Sequence, residues 1–576
     1  MDKVSKANKM NKNFKILRKK FNDYDIDGYV VPKNDDYFSE YSKLNRLKII
    51  SNFSGSAGLA IILKNKNYLF TDGRYTIQSQ LESGKYFKIL GFESLVNCKI
   101  FRNLTLGIDP KLFTYQQIRK FFLKNNKIKL IKKNLIDEIK KQKIKDSYKF
   151  FSLKKNIVGE STISKLNKIS KHLIKNKSDY LLVTAPENVA WILNIRGGDG
   201  PNSPVPNSRL IISKKKKIIL ISKIQKCKKL IKEKIIKPNQ ITSTNDFPKK
   251  ILKLKGKNFI IDNNSCSIFY ENIIKSRFKI IKREDPTYFL KAIKNKVEIN
   301  NMKKVHIKDG VALTKFIYWI KYINKNKITE IDAEKKLEKF RRMDKNFLYP
   351  SFNTIAGTGK NGAIIHYRAT KENCRVINKK DIFLCDSGGQ YKYGTTDVTR
   401  TLCFSKPKQN IQNIFTKVLK GHIAVAMTNI NKDNIGKKID KRARKFLNKS
   451  NLDYAHGTGH GVGFFLNVHE GPQSISKFNN VKIKEGMILS NEPGYYKKNK
   501  FGIRIENLVY VKKIKKKIVF ENLTMVPIEK DLINFKLLSS AERNYLLKYH
   551  LDIYYKISAF LNTNERKWLA SFIQHF

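Results

Sequence analysis

A chain of 576 residues is too long for one ordinary hydrophobic core, and its length predicts about three or four domains. With 41% apolar residues and many aromatics it is neither disordered nor fibrous. The formal net charge of +69 would draw nucleic acid or an anionic membrane, but the excess is nearly all Lys and runs along the whole chain beside an excess of Asn and Ile, so it reads as compositional bias on solvated faces rather than as a grouped basic surface with stacking aromatics.

The opening MDKVSKANKM is polar and leads into no apolar core of signal-peptide length, and no stretch of about 18 uncharged apolar residues follows. The expectation is a soluble cytoplasmic protein with no membrane partner and no specific nucleic-acid partner. Six cysteines (Cys98, Cys227, Cys266, Cys374, Cys385, Cys403) are scattered without a CxxC pair, so reduced thiols are expected rather than a disulfide framework or a zinc finger.

Residues 1–150 open with a helical pattern, followed by a strand at Ile26–Val31. Two further strands, Gly58–Leu63 and Tyr68–Thr71, read as a hairpin around KNKN. Residues 151–285 repeat the logic, with a strand at Asp179–Thr184 and a hairpin of Arg209–Ser213 and Ile218–Ser222 around KKKK. The likeness of IDGYVV to SDYLLV and of the two hairpins predicts two related α/β domains. Residues 286–511 change character. Val297–Ile320 has the spacing of a long amphipathic helix, and a second helix is predicted over Ile411–Met427. Between and after them, strand-like runs alternate with Gly-rich turns, which predicts an α+β domain with an antiparallel sheet. Residues 512–576 form an apolar tail expected to dock on the body or on a second subunit.

The chemistry lies in 286–511. Asp386 ends the apolar run Ile382–Cys385, and Asp397 follows past a Gly–Gly turn, about one hairpin away. Glu492 and Glu506 repeat the device across another polar turn. Arg504, Glu506 and Leu508 would share one face of a strand Phe501–Tyr510. Four inward carboxylates repel unless they are protonated or bound to cations. His460, among Gly457, Gly459, Gly461 and Gly463, adds one imidazole. A set of four carboxylates and one nitrogen is hard and oxygen-rich, which favours Mn²⁺ over a thiolate-type zinc site. Five side chains are too many for one catalytic ion with open positions and suit two. The Gly run lacks the GK[ST] ending of a phosphate loop.

Taken jointly, SFNTIAGTGKNGAIIHY, DSGGQY, TTDVTRT, HGTGHGVG, VHEGP, NEPGYY and GIRIEN resemble the aminopeptidase P branch of the pita-bread metallopeptidases. SGSAGLAIIL with TDGRY looks like that family's first domain, APENVAWILNIRG like its middle domain and LTMVPIEKDLI like the extension of its larger members. The resemblance implies two creatinase-like domains (1–150 and 151–285), a pita-bread catalytic domain (286–511) and a C-terminal extension (512–576). It implies that Asp386 chelates one metal alone, Asp397 and Glu506 bridge both ions, and His460 and Glu492 complete the other. His366, His456 and His469 would line the substrate site, orient the peptide and stabilise the oxyanion, while Arg504 supports the ligands. A hydroxide bridging two cations would attack the carbonyl of the first residue, with Glu492 carrying the proton to the leaving nitrogen. The implied substrate is a peptide with N-terminal Xaa-Pro, and the implied assembly is a homodimer. The alternatives are a prolidase restricted to Xaa-Pro dipeptides and a non-catalytic binding protein on the same fold.

Overall fold

The computed structural model describes residues 3–96, 101–122, 125–140 and 148–576, so Cys98 lies outside the described residues. The chain forms two compact units, one of Met1–Lys154 with Glu160–Thr287, the other of Lys155–Gly159 with Tyr288–Phe576.

The first unit uses one sheet plan twice. Strands β1 (Gly28–Pro32), β2 (Leu59–Leu63), β3 (Asn67–Thr71), β4 (Lys88–Gly91), β5 (Leu104–Ile108) and β6 (Asn126–Leu130) lie in the order β4-β3-β2-β1-β5-β6. Strands β7 (Tyr180–Val183), β8 (Arg209–Ser213), β9 (Ile218–Ile221), β10 (Ile241–Thr242), β11 (Asn258–Ile261) and β12 (Lys279–Lys282) lie in the order β10-β9-β8-β7-β11-β12. In both sheets the first three strands in sequence are joined antiparallel, and the remaining contacts are parallel. The sequence parallels thus mark one fold used twice. Strand alternation explains the continuous apolar runs: Tyr29 and Val31 enter one core and Val30 the other, and Ala60 and Ile62 part from Leu59 and Ile61 in the same way. Phe14, Leu17 and Phe21 of the N-terminal helix cover one of these faces.

The second unit is antiparallel throughout its named strand pairs. It opens with helix α1 (Lys296–Tyr318). Asn295 caps it by accepting from the Val297 and Glu298 amides, and Glu298 returns the bond to the Asn295 amide. Helix α2 (Glu330–Arg341) follows. A three-stranded sheet joins β13 (Ile355–Thr358), β14 (Phe383–Ser387) and β15 (Val398–Leu402). After helices α3 (Gln409–Ala426) and α4 (Gly436–Asn448) come β16 (Gly459–Gly461), β17 (Glu470–Ile475), β18 (Ile488–Asn491), the hairpin of β19 (Gly494–Lys497) and β20 (Phe501–Arg504), β21 (Asn507–Ile514) and β22 (Lys517–Asn522). A five-stranded sheet runs β17-β16-β18-β21-β22.

The tail docks on its own chain. Helix α5 (Ser540–Ile557) turns Leu546, Tyr549, Ile553 and Ile557 onto Phe415, Val418 and Leu419 of α3, and helix α6 (Thr563–Ile573) adds Leu569 and Ile573. Each such side chain, taken fully out of water, contributes about 1.5–3 kcal/mol.

Candidate metal centre

Asp386 lies within β14, opposite Ile355 and Thr399. The other three acids flank strands instead: Asp397 precedes β15, Glu492 follows β18, and Glu506 stands between β20 and β21. The strand expected from Phe501 to Tyr510 is therefore broken. Arg504 pairs with Gly494 in the hairpin, whereas Asn507 pairs with Asn491 in the main sheet, and the chain changes sheet between them. The connection from Asp386 to Asp397 is likewise more than a simple turn, because Gly389–Tyr391 and Gly394–Thr395 form their own antiparallel pair. Interrupted ladders re-aim side chains, which is how three sheets deliver carboxylates to one place.

His460 is the middle residue of β16. Glycine is required on both sides of it by close approach: a Cβ on Gly459 would stand 1.9 Å from the Ser490 carbonyl oxygen, and one on Gly461 would stand 2.2 Å from that of Glu470. His460 Nδ1 lies 2.9 Å from the Gly461 carbonyl, so Nδ1 carries a proton and Nε2 is left for the acids. That nitrogen faces Asp397 Oδ2 at 3.4 Å and Glu492 Oε1 at 3.5 Å. There Nε2 either carries a proton toward the two carboxylates or turns its lone pair to a cation held among them.

The ligand atoms of Asp386, Asp397 and Glu506 all lie within 4.8 Å of one another. So do those of His460, Glu492 and Glu506, and those of Asp397, His460 and His469. Glu506 is common to the first two groups, and Asp397 links the first to the third. Burial pushes Asp397 and Glu506 well above the usual carboxylate range, and neighbouring acids push them further. Burial also raises Asp386, against the pull of Arg504. At Glu492 burial acts upward too, but His460, His456 and Arg504 outweigh it and hold this carboxyl low. Asp386 Oδ1 is buried without a hydrogen-bond partner among the described residues. An oxygen-rich set that is costly to ionise by itself, with an orphaned oxygen and an imidazole nitrogen turned inward, fits hard divalent cations. A fourth cluster, Cys403 with Glu529 and Asp531, differs. Lys321 Nζ already sits 2.5 Å from Glu529 and 3.3 Å from Asp531, so the cation there is the protein's own.

Arg504 donates from Nη2 to Asp386 Oδ2 at 2.5 Å and from Nη1 to the Tyr496 hydroxyl at 2.6 Å. His456 is buried and uses both ring nitrogens, one on the Gly457 carbonyl at 2.8 Å and one on Tyr496 at 2.9 Å. Burial lowers its pKa to about 4, which leaves it neutral. His469 meets His460 edge-on with ring centroids 4.3 Å apart. His366 is half-buried, just past the 3₁₀ turn Gly359–Ala363, on a segment whose Ile364, Tyr367 and Ala369 pack with Tyr496 and Leu384.

Sequence reasoning assigned no role to the residues that hold these groups. Glu330, fully buried, accepts from the Thr358 and Arg375 amides, Asn361 and Tyr367, and so pins the segment carrying His366. Arg444 donates to the carbonyls of Tyr454 and His456 and pairs with Asp440, which accepts from Thr458. Arg400 donates to the carbonyls of Glu506, Val526 and Pro527 and to Asn507, so it ties the tail to a clustered acid. Glu470, beside His469, is clamped by buried Lys291 and Lys294. The motifs TTDVTRT and VHEGP already contained Arg400 and Glu470, but their partners are remote in sequence.

Comparison with known proteins places these features. Residues 300–513 match the model of metallopeptidase family M24, and residues 517–576 match the C-terminal region of that peptidase. Residues 14–138 and 141–298 each match a creatinase/prolidase N-terminal domain. The chain is 36% identical to a probable Xaa-Pro aminopeptidase P of Laccaria bicolor over 96% of its own length and 91% of the relative's. It is also 36% identical to Xaa-Pro aminopeptidase 1 of Dictyostelium discoideum, over 100% and 97%. The crystal structure of an X-prolyl aminopeptidase from Caenorhabditis elegans, described as a cytosolic enzyme with a di-nuclear active site, superimposes with a TM-score of 0.90 at 28% identity and covers 98% of this chain and 99% of that one.

Proposed function

The chain belongs to metallopeptidase family M24, and on that premise we propose that it is a two-metal aminopeptidase releasing the first residue of peptides whose second residue is proline. The observation that carries this reading is the sharing of Glu506 between two groups of potential ligands, one with Asp386 and Asp397 and one with His460 and Glu492. Its support on substrate is the full-length similarity to proteins called Xaa-Pro aminopeptidase.

In this reading Asp386 would hold one ion, His460 and Glu492 the other, and Asp397 and Glu506 both, with Mn²⁺ suited to a set of mostly carboxylate oxygens. Two bound ions would supply a water made nucleophilic near neutral pH and a pull of electrons from the scissile carbonyl. The chain's own groups do the rest. Arg504 orients Asp386 while gripping Tyr496, and Tyr496 in turn fixes His456 as one wall of the substrate site. Glu492 accepts the proton and hands it to the leaving nitrogen. That nitrogen is proline's, in a tertiary amide that offers no N–H, so selectivity comes from a site shaped to the ring. His366 and His469 flank that ring, orient the peptide and stabilise the oxyanion with His456. Wild-type turnover of an Xaa-Pro tripeptide by His366→Ala or His469→Ala would sink this assignment.

The segments 1–150, 151–285, 286–511 and 512–576 serve in this proposal as two creatinase-like domains, the catalytic domain and its extension. No helix among the described residues is long and apolar enough to cross a membrane, and a cytoplasmic setting accords with the cytosolic neighbour and with the free thiols of Cys227, Cys266, Cys374, Cys385 and Cys403. For the homodimer, the support is the outer face of α5, where Leu547, Leu551 and Tyr555 stand exposed at successive four-residue steps. A monomer mass in solution would reject it.

The decisive assay is hydrolysis of Arg-Pro-Pro, Arg-Ala-Ala and Arg-Pro after chelation and again with Mn²⁺ restored. Metal-dependent release of arginine from Arg-Pro-Pro alone is the expected result. Cleavage of Arg-Pro alone would make the protein a prolidase. No cleavage with any metal would leave a binding protein on this fold.

A further inference from the structure

Read along the sequence, the lysines show no grouping; the fold corrects this. Seven cationic side chains line one open cavity of about 720 Å³ in the second unit, against a single acid, Asp381. Lys360 comes from the 3₁₀ turn Gly359–Ala363, Arg375 and Lys380 from the chain leading into β14, Lys406 and Lys408 from the loop between β15 and α3, and Lys497 and Lys500 from the tip of the β19–β20 hairpin. Arg375 faces Asp381 at 3.5 Å and donates to the Thr358 carbonyl, so the acid is already taken. The six lysines make no ion pair among the described residues. Lys-rich composition alone does not produce this balance. A cavity of about 320 Å³ in the first unit is lined by three lysines and three aspartates.

A second feature has the same sign. Helix α3 begins on the wall of the cavity, where Asn410 and Ile411 line it. Its N-cap residue, Lys408, makes no side-chain cap bond. The Ile411 and Gln412 amides return to the Lys408 carbonyl, whereas those of Gln409 and Asn410 have no acceptor among the described residues. The positive end of an 18-residue helix therefore adds two unused N–H donors to the lysines.

We propose that this cavity binds a small anion carrying several phosphate groups. Six point charges converging on one bounded space match a compact polyanion, and lysine lacks the planar fork that favours a single carboxylate. A nucleic acid would need cations laid out along a track, with aromatic platforms for its bases. Here the cations converge from four separate segments, and Phe501 is the one aromatic on the wall.

The test uses inorganic triphosphate, titrated as its magnesium complex into the metal-loaded full-length protein at physiological ionic strength, so that the probe strips no ion from the carboxylates. Wild type is expected to bind at one site. Lys406→Glu combined with Lys500→Glu should weaken binding at least tenfold with the melting temperature unchanged. Lys215→Glu with Lys217→Glu, an equal change of charge in the β8–β9 turn, should leave it intact. No binding by wild type, or equal weakening by the control pair, would overturn the proposal. So would a single-stranded oligonucleotide that binds and is not displaced by triphosphate, which would make the cavity a nucleic-acid surface.

Discussion

The twin sheets of the first unit and the carboxylate cluster of the second are both buried, and they use burial in opposite ways. Strands β1 and β2 place Tyr29, Val30, Ile61 and Ile62 at 1% exposure or less, with nothing ionisable among them but a phenol. Their burial stabilises the fold at roughly 25 cal/mol per Å² of apolar area. Asp397, Glu506, Arg504 and Arg400 are exposed by 4% or less, yet taking such charges out of water costs several kcal/mol each before any pairing. Arg504 offsets one acid directly, and the acids otherwise repel. The first region is built for stability; the second gives up stability for a function that needs concentrated charge.

That contrast breaks first at Asp397. Asp397→Asn keeps the shape and removes one repelling charge. With Asp397 shared by both ions, as proposed above, peptide turnover should fall by about 10³-fold or more. The chelator-treated variant should nevertheless melt at or above chelator-treated wild type, because the buried acid no longer pays for desolvation and for its acidic neighbours. A large fall in melting temperature would show Asp397 to be a structural anchor and erase the distinction. Arg400→Ala is the counter-case. It strips the carbonyls of Glu506 and Pro527 of their donor, leaves that of Val526 to Tyr549 alone, and should cost roughly 3–5 kcal/mol in urea denaturation, with Arg400→Lys restoring only part because it lacks the fork. A loss below about 1 kcal/mol would dissolve the proposed link between tail and site. In the first unit, Ile61→Ala should cost roughly 2–5 kcal/mol while kcat/KM of the folded enzyme stays unchanged.

The twin sheets were legible because their signal is local: alternating apolar strands, polar hairpin turns and a repeat of both. The acids were legible as residues out of place in apolar surroundings. Their spatial order was less so, since the hairpin and strand continuity expected around Asp386 and Arg504 is broken by chain that changes sheets. Helix α4 went unread because KKIDKRARKFL looks like a charge run, although Ile439, Ala443 and Leu447 are buried along one face and the Asp440–Arg444 pair is buried with them. Glu330 was invisible for a different reason. Its four donors come from residues 358 to 375, and nothing in the helix start TEID distinguishes a caged carboxylate from an ordinary first-turn acid.

The smallest expected effect concerns a buried base outside the cluster. His550 Nε2 accepts from the Ile528 amide, Nδ1–H donates to the Leu546 carbonyl, and the ring stacks on Phe576 with centroids 3.7 Å apart. Burial lowers its pKa to about 3, so it is folded as the neutral ring. The unfolded chain binds a proton at about pH 6.5 that the folded one refuses. This contribution to stability is thus complete above about pH 6.5 and is lost as the pH falls toward 3, at up to about 1.4 kcal/mol per pH unit from this one side chain. Urea midpoints at pH 7, 6 and 5 should show that slope. His550→Gln, whose amide oxygen can accept from Ile528, should reduce it by one proton's worth while leaving the slopes from His422 and His456. An unchanged slope would mean that the ring is protonated in the folded state, and the tail would then carry a buried charge, as the cluster does, rather than rest on apolar burial, as the twin sheets do.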